Sequence, residues 1–266
     1  MPKQEKSTNV DDEGVGQMTT WNLGHFVWRE LMTKDVDKAK GFYGELMGWS
    51  FEDTPMEGFT YTLVKLGEKM VAGMMPMQGD EHPPHWMSYV SVADVDGAAA
   101  AAQKAGGQVP VGPMDIPNVG RFAVIGDPAG AYFSLLRATD GDMPVDRPGV
   151  GEFCWETLST TDVDGAFDFY ATVCGWQPTE GPGGMKVFSA GEMPVADPQP
   201  AQPGVPPHWL TYVVVPGGAD AGRERAVKLG ATVVVPRIEV PGVGTIALVA
   251  DPTGAVLGLF EPGQML

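Results

Sequence analysis

The sequence is poor in the residues that build disulfide frameworks and metal clusters. It has only two cysteines, Cys154 and Cys174, and four histidines among 266 residues. Two cysteines are too few for a disulfide framework, and no further cysteine or histidine flanks either one at metal-site spacing. We therefore interpret both cysteines as partly buried free thiols that pack like small apolar side chains.

Basic residues are also scarce, because 17 lysines and arginines face 34 acids and the formal net charge is −17. A field of this sign repels phosphate backbones and acidic membrane surfaces, so we predict neither nucleic acid nor membrane as a partner. No apolar run approaches the ~18 residues that a membrane span needs, and the N-terminus lacks the pattern of a signal peptide. We expect a cytoplasmic protein with packed cores, since 43% of the residues are hydrophobic.

What the sequence does contain is an internal repeat. Three segments return in the same order and at nearly constant spacing, which indicates two homologous domains. The pairs are Trp28–Asp37 with Trp155–Asp164, Pro84–Val90 with Pro207–Val213, and Asp127–Ala131 with Asp251–Ala255. We predict a flexible tail at residues 1–18, domains at 19–138 and 150–262, and a polar linker at 139–149.

Each predicted domain shows the order strand, helix and several strands twice. In the first repeat, Phe26–Leu31 is apolar and short enough for a strand, and Asp35 suits the N-cap of the helix that follows. Gly48 stops this helix, and glycine pairs or Asp-Pro-x-Gly turns separate the later segments. The pattern predicts an α+β fold in which four βαβββ units make up the chain.

Two motifs connect the chain with a known family. Each repeat begins with a strand, an aspartate and a helix carrying Phe-Tyr-x-x-x-x-Gly-Trp, at Phe42–Trp49 and Phe169–Trp176, and ends with Asp-Pro-x-Gly-Ala. In these motifs the chain resembles the vicinal oxygen chelate superfamily of glyoxalase I, extradiol dioxygenases and bleomycin-resistance proteins, and above all its tandem two-domain bacterial members. The resemblance implies two tandem glyoxalase-like domains, each of two βαβββ modules. Their curled mixed or antiparallel sheets are expected to form an open cavity.

The same resemblance implies where a metal would be bound. Metal-using members place one ligand on the opening strand of a domain, one on the first strand of its second unit and one after the Asp-Pro-x-Gly turn. These positions hold Trp28, Met87 and Ser134 in the first domain and Trp155, Leu210 and Gly258 in the second. A fourth position, used by some glyoxalases, offers no carboxylate or imidazole between Lys69 and Gln78. None of these side chains suits a hard or borderline divalent ion, so we predict no metal and no other cofactor.

Side-chain alternation along the strands predicts which residues line the cavities. The first cavity mixes aromatic, hydroxyl and carboxylate groups, whereas the second is almost wholly apolar, so we favour the first domain as the ligand-binding one. The predicted ligand-binding residues are Trp28, Met87, Tyr89, Arg121, Tyr132, Ser134, Trp155, Leu210 and Tyr212. The same parity places Phe26 and Phe153 in the cavities. Alternatively, Trp28 and Trp155 fill these spaces as core.

Glu30 is the candidate for catalytic chemistry. A carboxylate on an apolar strand has a raised pKa unless it is paired, and a raised pKa suits a general acid or base. Alternatively, Glu30 forms a structural ion pair with Arg121 from a neighbouring strand. Arg121 could instead anchor a carboxylate-bearing ligand, and Thr245 replaces it in the second domain.

Three functional hypotheses follow from these observations. The leading one is a metal-independent glyoxalase-like protein that binds a small hydrophobic or aromatic molecule in the cavity of the first domain. The second is a lyase, isomerase or hydroxylase-type enzyme that uses Glu30 as acid or base. The third is an antibiotic-sequestering resistance protein whose acidic surface holds a cationic drug. Because the fusion already pairs two domains, we expect a monomer or a weak homodimer.

Overall fold

The computed structural model describes residues 20–79 and 82–263, which form sixteen β-strands and four α-helices. The predicted tail at residues 1–18 lies outside the described residues. The predicted linker at residues 139–149 contains no helix or strand. Within the described ranges, no helix has the length and apolar character needed to cross a membrane.

Both halves of the chain repeat one order of elements. The elements before residue 139 are β1 (Phe26–Thr33), α1 (Val36–Met47), β2 (Ser50–Met56), β3 (Phe59–Leu66), β4 (Lys69–Pro76), β5 (His85–Ser91), α2 (Val95–Lys104), β6 (Gln108–Ile116), β7 (Gly120–Gly126) and β8 (Tyr132–Ala138). Those after residue 149 are β9 (Phe153–Thr160), α3 (Val163–Cys174), β10 (Gln177–Glu180), a 3₁₀ turn (Pro182–Gly184), β11 (Lys186–Ala190), β12 (Met193–Pro200), β13 (His208–Val214), α4 (Ala219–Lys228), β14 (Thr232–Val240), β15 (Gly244–Ala250) and β16 (Val256–Pro262). Each half therefore contains two units of strand, helix and three strands.

Each half builds one eight-stranded sheet. The strand order is β2-β3-β4-β1-β5-β8-β7-β6 in the first sheet and β10-β11-β12-β9-β13-β16-β15-β14 in the second. In the first sheet β1 is parallel to β4 and antiparallel to β5, which is in turn parallel to β8. Each βαβββ unit thus contributes four adjacent strands, and neither sheet closes into a barrel. The predicted α+β fold of paired βαβββ modules is confirmed.

Local sequence signals define the first helix of each half. The Asp35 carboxylate accepts a hydrogen bond from Lys38 N at 3.0 Å, and Asp162 caps α3 in the same way. Gly48 and Gly175 end these helices with φ angles of 75° and 74°, a left-handed conformation that glycine adopts without the steric cost of a Cβ. The helix boundaries expected at Asp35 and Gly48 are confirmed.

The helix-bearing faces of the two sheets pack against each other across the domains. One core cluster joins the second unit of the first domain to the first unit of the second domain, and the other cluster joins the remaining two units. Tyr43 OH donates to Asp251 Oδ2 at 2.9 Å, and Tyr170 OH donates to Asp127 Oδ2 at 3.1 Å. The Phe-Tyr motif of one domain therefore binds the Asp-Pro-x-Gly turn of the other, and this contact is made twice.

A β-bulge near the start of β1 changes which side chains face the core. The pairing of β1 with β5 shifts register between Phe26 and Trp28, and Phe26 packs in the core with its ring 5.5 Å from two buried tryptophan rings. A similar shift lies between Phe153 and Trp155 of β9, and Phe153 packs against the other core cluster. The expectation that Phe26 and Phe153 line the cavities is wrong, because one extra residue reverses the alternation of a strand.

Candidate functional site

The face of each sheet that carries no helix is here called the open face. Leu31 and Met74 pack in the core beside α1, so their strand neighbours Glu30 and Gly73 point to the opposite side. Register places the predicted residues together, because Trp28 pairs with Tyr89, Glu30 pairs with Met87, and Tyr89 pairs with Ser134. The open face of the first sheet carries Trp28, Glu30, Tyr61, Gly73, Met87, Tyr89 and Ser134.

Glu30 lies at the centre of a hydrogen-bond cluster on this face. Tyr89 OH donates to Glu30 Oε2 at 2.8 Å, and the Tyr61 hydroxyl hydrogen-bonds to the same carboxyl group. Trp28 Nε1 donates to Tyr61 OH at 3.1 Å. Glu30 is 7% exposed, whereas Trp28 and Tyr61 are half-buried. The cluster therefore extends from a buried carboxyl group to side chains that a ligand can reach.

Gly73 makes the position of Tyr61 possible. A Cβ atom at residue 73 would lie 1.9 Å from the Tyr61 hydroxyl oxygen, which is far inside van der Waals contact. Sequence reasoning missed both residues, since it had no way to know that β3 brings Tyr61 next to Glu30. The available signal was a glycine inside an apolar strand, which often marks the close approach of another group.

The electrostatics of the cluster raise the pKa of its carboxyl group. Burial raises the pKa of Glu30, and the hydrogen bonds from Tyr61 and Tyr89 counter this only in part. No lysine, arginine or histidine of residues 20–79 and 82–263 forms an ion pair with Glu30. Burial and the nearby Glu30 also raise the pKa of Tyr61 and Tyr89, so both phenols remain hydrogen-bond donors. This arrangement can exchange a proton and can bind a hydroxyl or carbonyl group.

Three further predicted residues lie at different depths on the same face. Met87 is half-buried beside Glu30. Ser134 is fully buried next to Tyr89, whose pKa it lowers, although Ser134 Oγ has no well-formed hydrogen bond within the described part of the chain. Tyr132 is 41% exposed at the start of β8. The structure therefore brings Met87 and Ser134 to the Glu30 cluster, with Tyr132 nearer to solvent.

Arg121 lies away from this cluster. Its guanidinium donates to both carboxylate oxygens of Asp96 on α2, at 2.5 and 2.8 Å, and to Asp115 at 2.9 Å. The proposed ion pair between Arg121 and Glu30 is wrong, because Arg121 alternates to the helix-bearing face of β7. On that face it borders a separate surface cavity of about 430 Å³. A ligand-anchoring role of Arg121 stays a prediction, and it concerns this cavity.

The open face of the second sheet also carries a buried carboxylate, at Asp197 on β12. Trp155 Nε1 and Thr157 Oγ1 donate to Asp197 Oδ1 at 2.5 and 2.8 Å. Gln199 Nε2 donates to Asp197 Oδ2 at 2.7 Å. The predicted residue Trp155 thus contacts an acid that was not among the candidates, and the expectation of an almost wholly apolar second cavity is wrong.

Leu210 and Tyr212 are both buried on β13 of this face. Tyr212 hydrogen-bonds to Thr157, and burial raises the pKa of Tyr212 to about 12. Its ring lies over Gly258, where a Cβ atom would come within 2.1 Å of Tyr212 Cδ1. The signal for Asp197 was an acid inside the apolar strand that corresponds to β4, a strand in which the first repeat has no acid.

The side chains at the family's ligand positions do not fit a divalent metal ion. Such an ion takes several carboxylate, imidazole or thiolate donors, but Trp28 offers none, Met87 a thioether and Ser134 a hydroxyl. Glu30 is the carboxyl group of this cluster, and its neighbours Tyr61 and Tyr89 are protonated phenols. In residues 20–79 and 82–263, no three His, Cys, Asp or Glu side chains are grouped so that they could hold a metal ion.

Sequence comparisons connect the chain with known proteins. A family model described as the Glyoxalase/Bleomycin resistance protein/Dioxygenase superfamily matches residues 22–135. The protein named "Putative glyoxylase CFP32" of Mycobacterium bovis is 34% identical over 245 residues, which cover 88% of this chain and 94% of the relative. The anthracycline biosynthesis protein DnrV of Streptomyces peucetius is 33% identical over 269 residues, which cover 92% of this chain and 95% of the relative.

Solved structures share the fold. The Mn(II)-bound glyoxalase from Novosphingobium aromaticivorans superposes with a TM-score of 0.60 at 17% identity, over 90% of this chain and 82% of that chain. The 2,2',3-trihydroxybiphenyl 1,2-dioxygenase from Sphingomonas wittichii strain RW1 has a TM-score of 0.61 at 14% identity, over 92% of both chains. At these identities the likeness concerns the architecture alone.

Proposed function

Since this chain belongs to the Glyoxalase/Bleomycin resistance protein/Dioxygenase superfamily, we propose that it is a metal-independent member that binds a small hydrophobic or aromatic molecule on the open face of the first sheet. The observation that carries the proposal is the Glu30 cluster, in which half-buried Trp28 and Met87 flank a buried carboxyl group and two phenols. Apolar surface around a few convergent polar groups is typical of small-molecule sites. The side chains at the ligand positions support metal independence, because their donor chemistry does not suit a divalent ion.

The polar groups of the cluster favour a ligand with a hydroxyl or carbonyl group on an aromatic frame. The Glu30 carboxyl group accepts hydrogen bonds in both forms and can also donate one when it is protonated, and the buried Ser134 hydroxyl lacks a well-formed partner in the described residues. The name of the relative DnrV supports an aromatic ligand, because it refers to anthracycline biosynthesis and anthracyclines are fused-ring aromatic compounds. The indole of Trp28 offers a flat surface on which such a ring system can stack.

Calorimetric titration with 1-naphthol, and with naphthalene as the matched compound without a hydroxyl group, tests the binding proposal. We expect 1-naphthol to bind more tightly than naphthalene, and Trp28→Ala to weaken 1-naphthol binding about tenfold or more. Trp155→Ala, the equivalent change in the second domain, is the control and is expected to leave this affinity unchanged. Equal affinity of the original protein and Trp28→Ala would contradict the proposal.

Elemental analysis tests metal independence separately. Protein purified without chelators is expected to contain no manganese, iron, nickel or zinc in stoichiometric amount, and added Mn²⁺ is expected to leave 1-naphthol affinity unchanged. One tightly bound ion per domain, or binding that requires Mn²⁺, would contradict metal independence while leaving the site itself in place.

A second candidate function is acid–base catalysis by Glu30, and the raised pKa of this buried carboxyl group favours it. In its ionised form Glu30 would remove a proton from the carbon beside a ligand carbonyl group, while Tyr89 OH would hydrogen-bond to the developing enolate oxygen.

NMR can test this catalytic role by following exchange of the α-protons of 1-tetralone in D₂O. Exchange that the original protein accelerates and Glu30→Gln does not, with 1-tetralone affinity retained, would favour catalysis over plain binding.

A further inference from the structure

The two open faces place one carboxyl group at the same position of their sheets, from different strands. Glu30 of β1 pairs with Gly73 of β4 in the first sheet, and Thr157 of β9 pairs with Asp197 of β12 in the second. The acid therefore comes from the first strand of the pair in one domain and from the second strand in the other. Because packing alone does not require an acid at either position, the recurrence points to a ligand at Asp197 as well.

The Asp197 carboxylate has hydrogen bonds but no counter-ion. Trp155 and Gln199 supply N–H groups and Thr157 supplies a hydroxyl group, and none of these groups carries a charge. Both carboxylate oxygens act as acceptors. Oδ1 accepts two hydrogen bonds and Oδ2 accepts one, so one acceptor position of Oδ2 remains. No lysine, arginine or histidine in the described ranges forms an ion pair with Asp197.

Two aromatic residues lie near this carboxylate. Trp155 is half-buried and holds Asp197 through its indole N–H, and Tyr212 is linked to the same group through Thr157. Gly258 lets the Tyr212 ring lie close to the sheet. A carboxylate among aromatic rings suits a positively charged organic group, because the rings attract a cation through their π faces and the carboxylate accepts its N–H.

Charge favours the same kind of ligand. Asp197 is 8% exposed and has no cationic partner among the described residues, so a ligand with a positive charge would offset part of the cost of burying this carboxylate. The formal net charge of −17 also raises the concentration of cations near the surface. A single carboxylate with neutral neighbours offers too few donors for a divalent metal ion.

We propose that the Asp197 cluster, formed by Trp155, Thr157, Asp197, Gln199 and Tyr212, is a second binding site that takes a small organic ammonium ion. The ammonium group donates to the remaining acceptor position of Asp197 Oδ2, and its hydrocarbon part lies against Trp155. This site does not depend on the proposed function of the first domain.

Calorimetric titration of the full chain with benzylammonium tests the proposal, with benzyl alcohol as the uncharged compound of similar shape. We expect benzylammonium to bind about tenfold or more tightly than benzyl alcohol, and Asp197→Asn to remove this preference. Glu30→Gln, the matched loss of a carboxyl group on the other open face, is expected to retain it. Asp197→Asn is expected to bind 1-naphthol as the original protein does. This control measures the site of the first domain separately from the Asp197 cluster.

NMR of the unmodified protein supplies a second measurement if Asp197→Asn does not fold. The indole N–H signal of Trp155, assigned with Trp155→Phe, is expected to shift on addition of benzylammonium, while the Trp28 signal stays in place. Equal affinity for benzyl alcohol and benzylammonium, unchanged binding to Asp197→Asn, or a shift of Trp28 instead of Trp155 would overturn the proposal.

Discussion

Arg29 Nε donates to Glu156 Oε1 at 2.9 Å across the contact between the two domains, and the two residues hold equivalent positions in the two repeats. The Glu156 side chain is fully buried, and Thr211 and Ser88, which are also equivalent, both hydrogen-bond to it. If two copies of the first domain packed in this way, arginine would face arginine. Two copies of the second domain would place glutamate against glutamate. The pair therefore favours contact between a first domain and a second domain. A fused chain contains both domains, whereas a homodimer of either domain alone would bring like charges together.

Breaking this pair is expected to destabilise the protein strongly, and reversing it is not. Arg29→Met leaves Glu156 buried without a cation and should lower the free energy of unfolding by about 3–5 kcal/mol. The double variant Arg29→Glu with Glu156→Arg should recover most of the loss, since Ser88 and Thr211 offer a hydroxyl group on either side. Urea unfolding of the three proteins measures this. A double variant as unstable as Arg29→Met would show that the two environments are not interchangeable.

The contacts between the Phe-Tyr and Asp-Pro-x-Gly motifs give a second prediction. Tyr170 OH donates to Asp127 and accepts from Trp209 Nε1 at 2.9 Å, so Tyr170→Phe leaves two buried polar groups without this partner. We expect a loss of about 1–3 kcal/mol for each such group, measured by urea unfolding. Tyr132→Phe is the control, because the 41% exposed Tyr132 should tolerate the change within about 0.5 kcal/mol. A Tyr170→Phe variant as stable as this control would contradict the structural role of the contact.

Much of the fold could be predicted because its signals are local or repeated. Asp35 and Gly48 mark the ends of α1 through contacts within a few residues. Because the motif is repeated, the equivalent Asp162 and Gly175 predict the ends of α3. The strand β2 at Ser50–Met56 could not be located in the same way, since most of its residues are exposed and show no alternation of apolar and polar side chains. It is held as a strand by its pairing with β3, which is a contact that the sequence does not display.

The candidate site could be predicted only as far as alternation along single strands allows. Trp28 and Glu30 share a face of β1, and this was correctly inferred, whereas the bulge at Val27 reversed the expectation for Phe26. Tyr61 and Asp197 depend on which strands become neighbours and in which register, and both of these are decided by long-range pairing. The predicted pair of Glu30 with Arg121 was wrong for a related reason, because β5 and β8 separate β1 from β7 and Arg121 points to the opposite face of the sheet.

Both cysteines are expected to be unreactive in the folded protein. Burial raises the pKa of Cys154 to about 12 and also raises that of Cys174, so the fraction of reactive thiolate at pH 8 is very small. Ellman's reagent at pH 8 should label neither thiol within minutes under native conditions and should label both in 6 M guanidinium, roughly the concentration that unfolds most domains. Rapid labelling of the native protein would contradict the burial of these thiols.

The raised pKa of Glu30 makes the stability of the protein depend on pH in a defined direction. Between its ordinary value of 4.5 and its higher value in the folded state, the folded protein binds more protons at Glu30 than the unfolded chain does. The stabilisation that this group contributes is therefore fully present below pH 4.5 and is lost as the pH rises through the folded-state pKa. Glu30→Gln cannot ionise and should not show this loss.

Urea unfolding of both proteins between about pH 4.5 and 8.5 measures the effect. The free energy of unfolding of the original protein, relative to Glu30→Gln, should fall with rising pH at up to about 1.4 kcal/mol per pH unit. The hydrogen bond from Tyr61 lowers the pKa of Glu30, so Tyr61→Phe should extend this fall to higher pH. A difference between the original protein and Glu30→Gln that stays constant or grows with pH would show that the folded-state pKa of Glu30 is not raised, which would remove the basis for Glu30 as a hydrogen-bond donor to the ligand and as a general base.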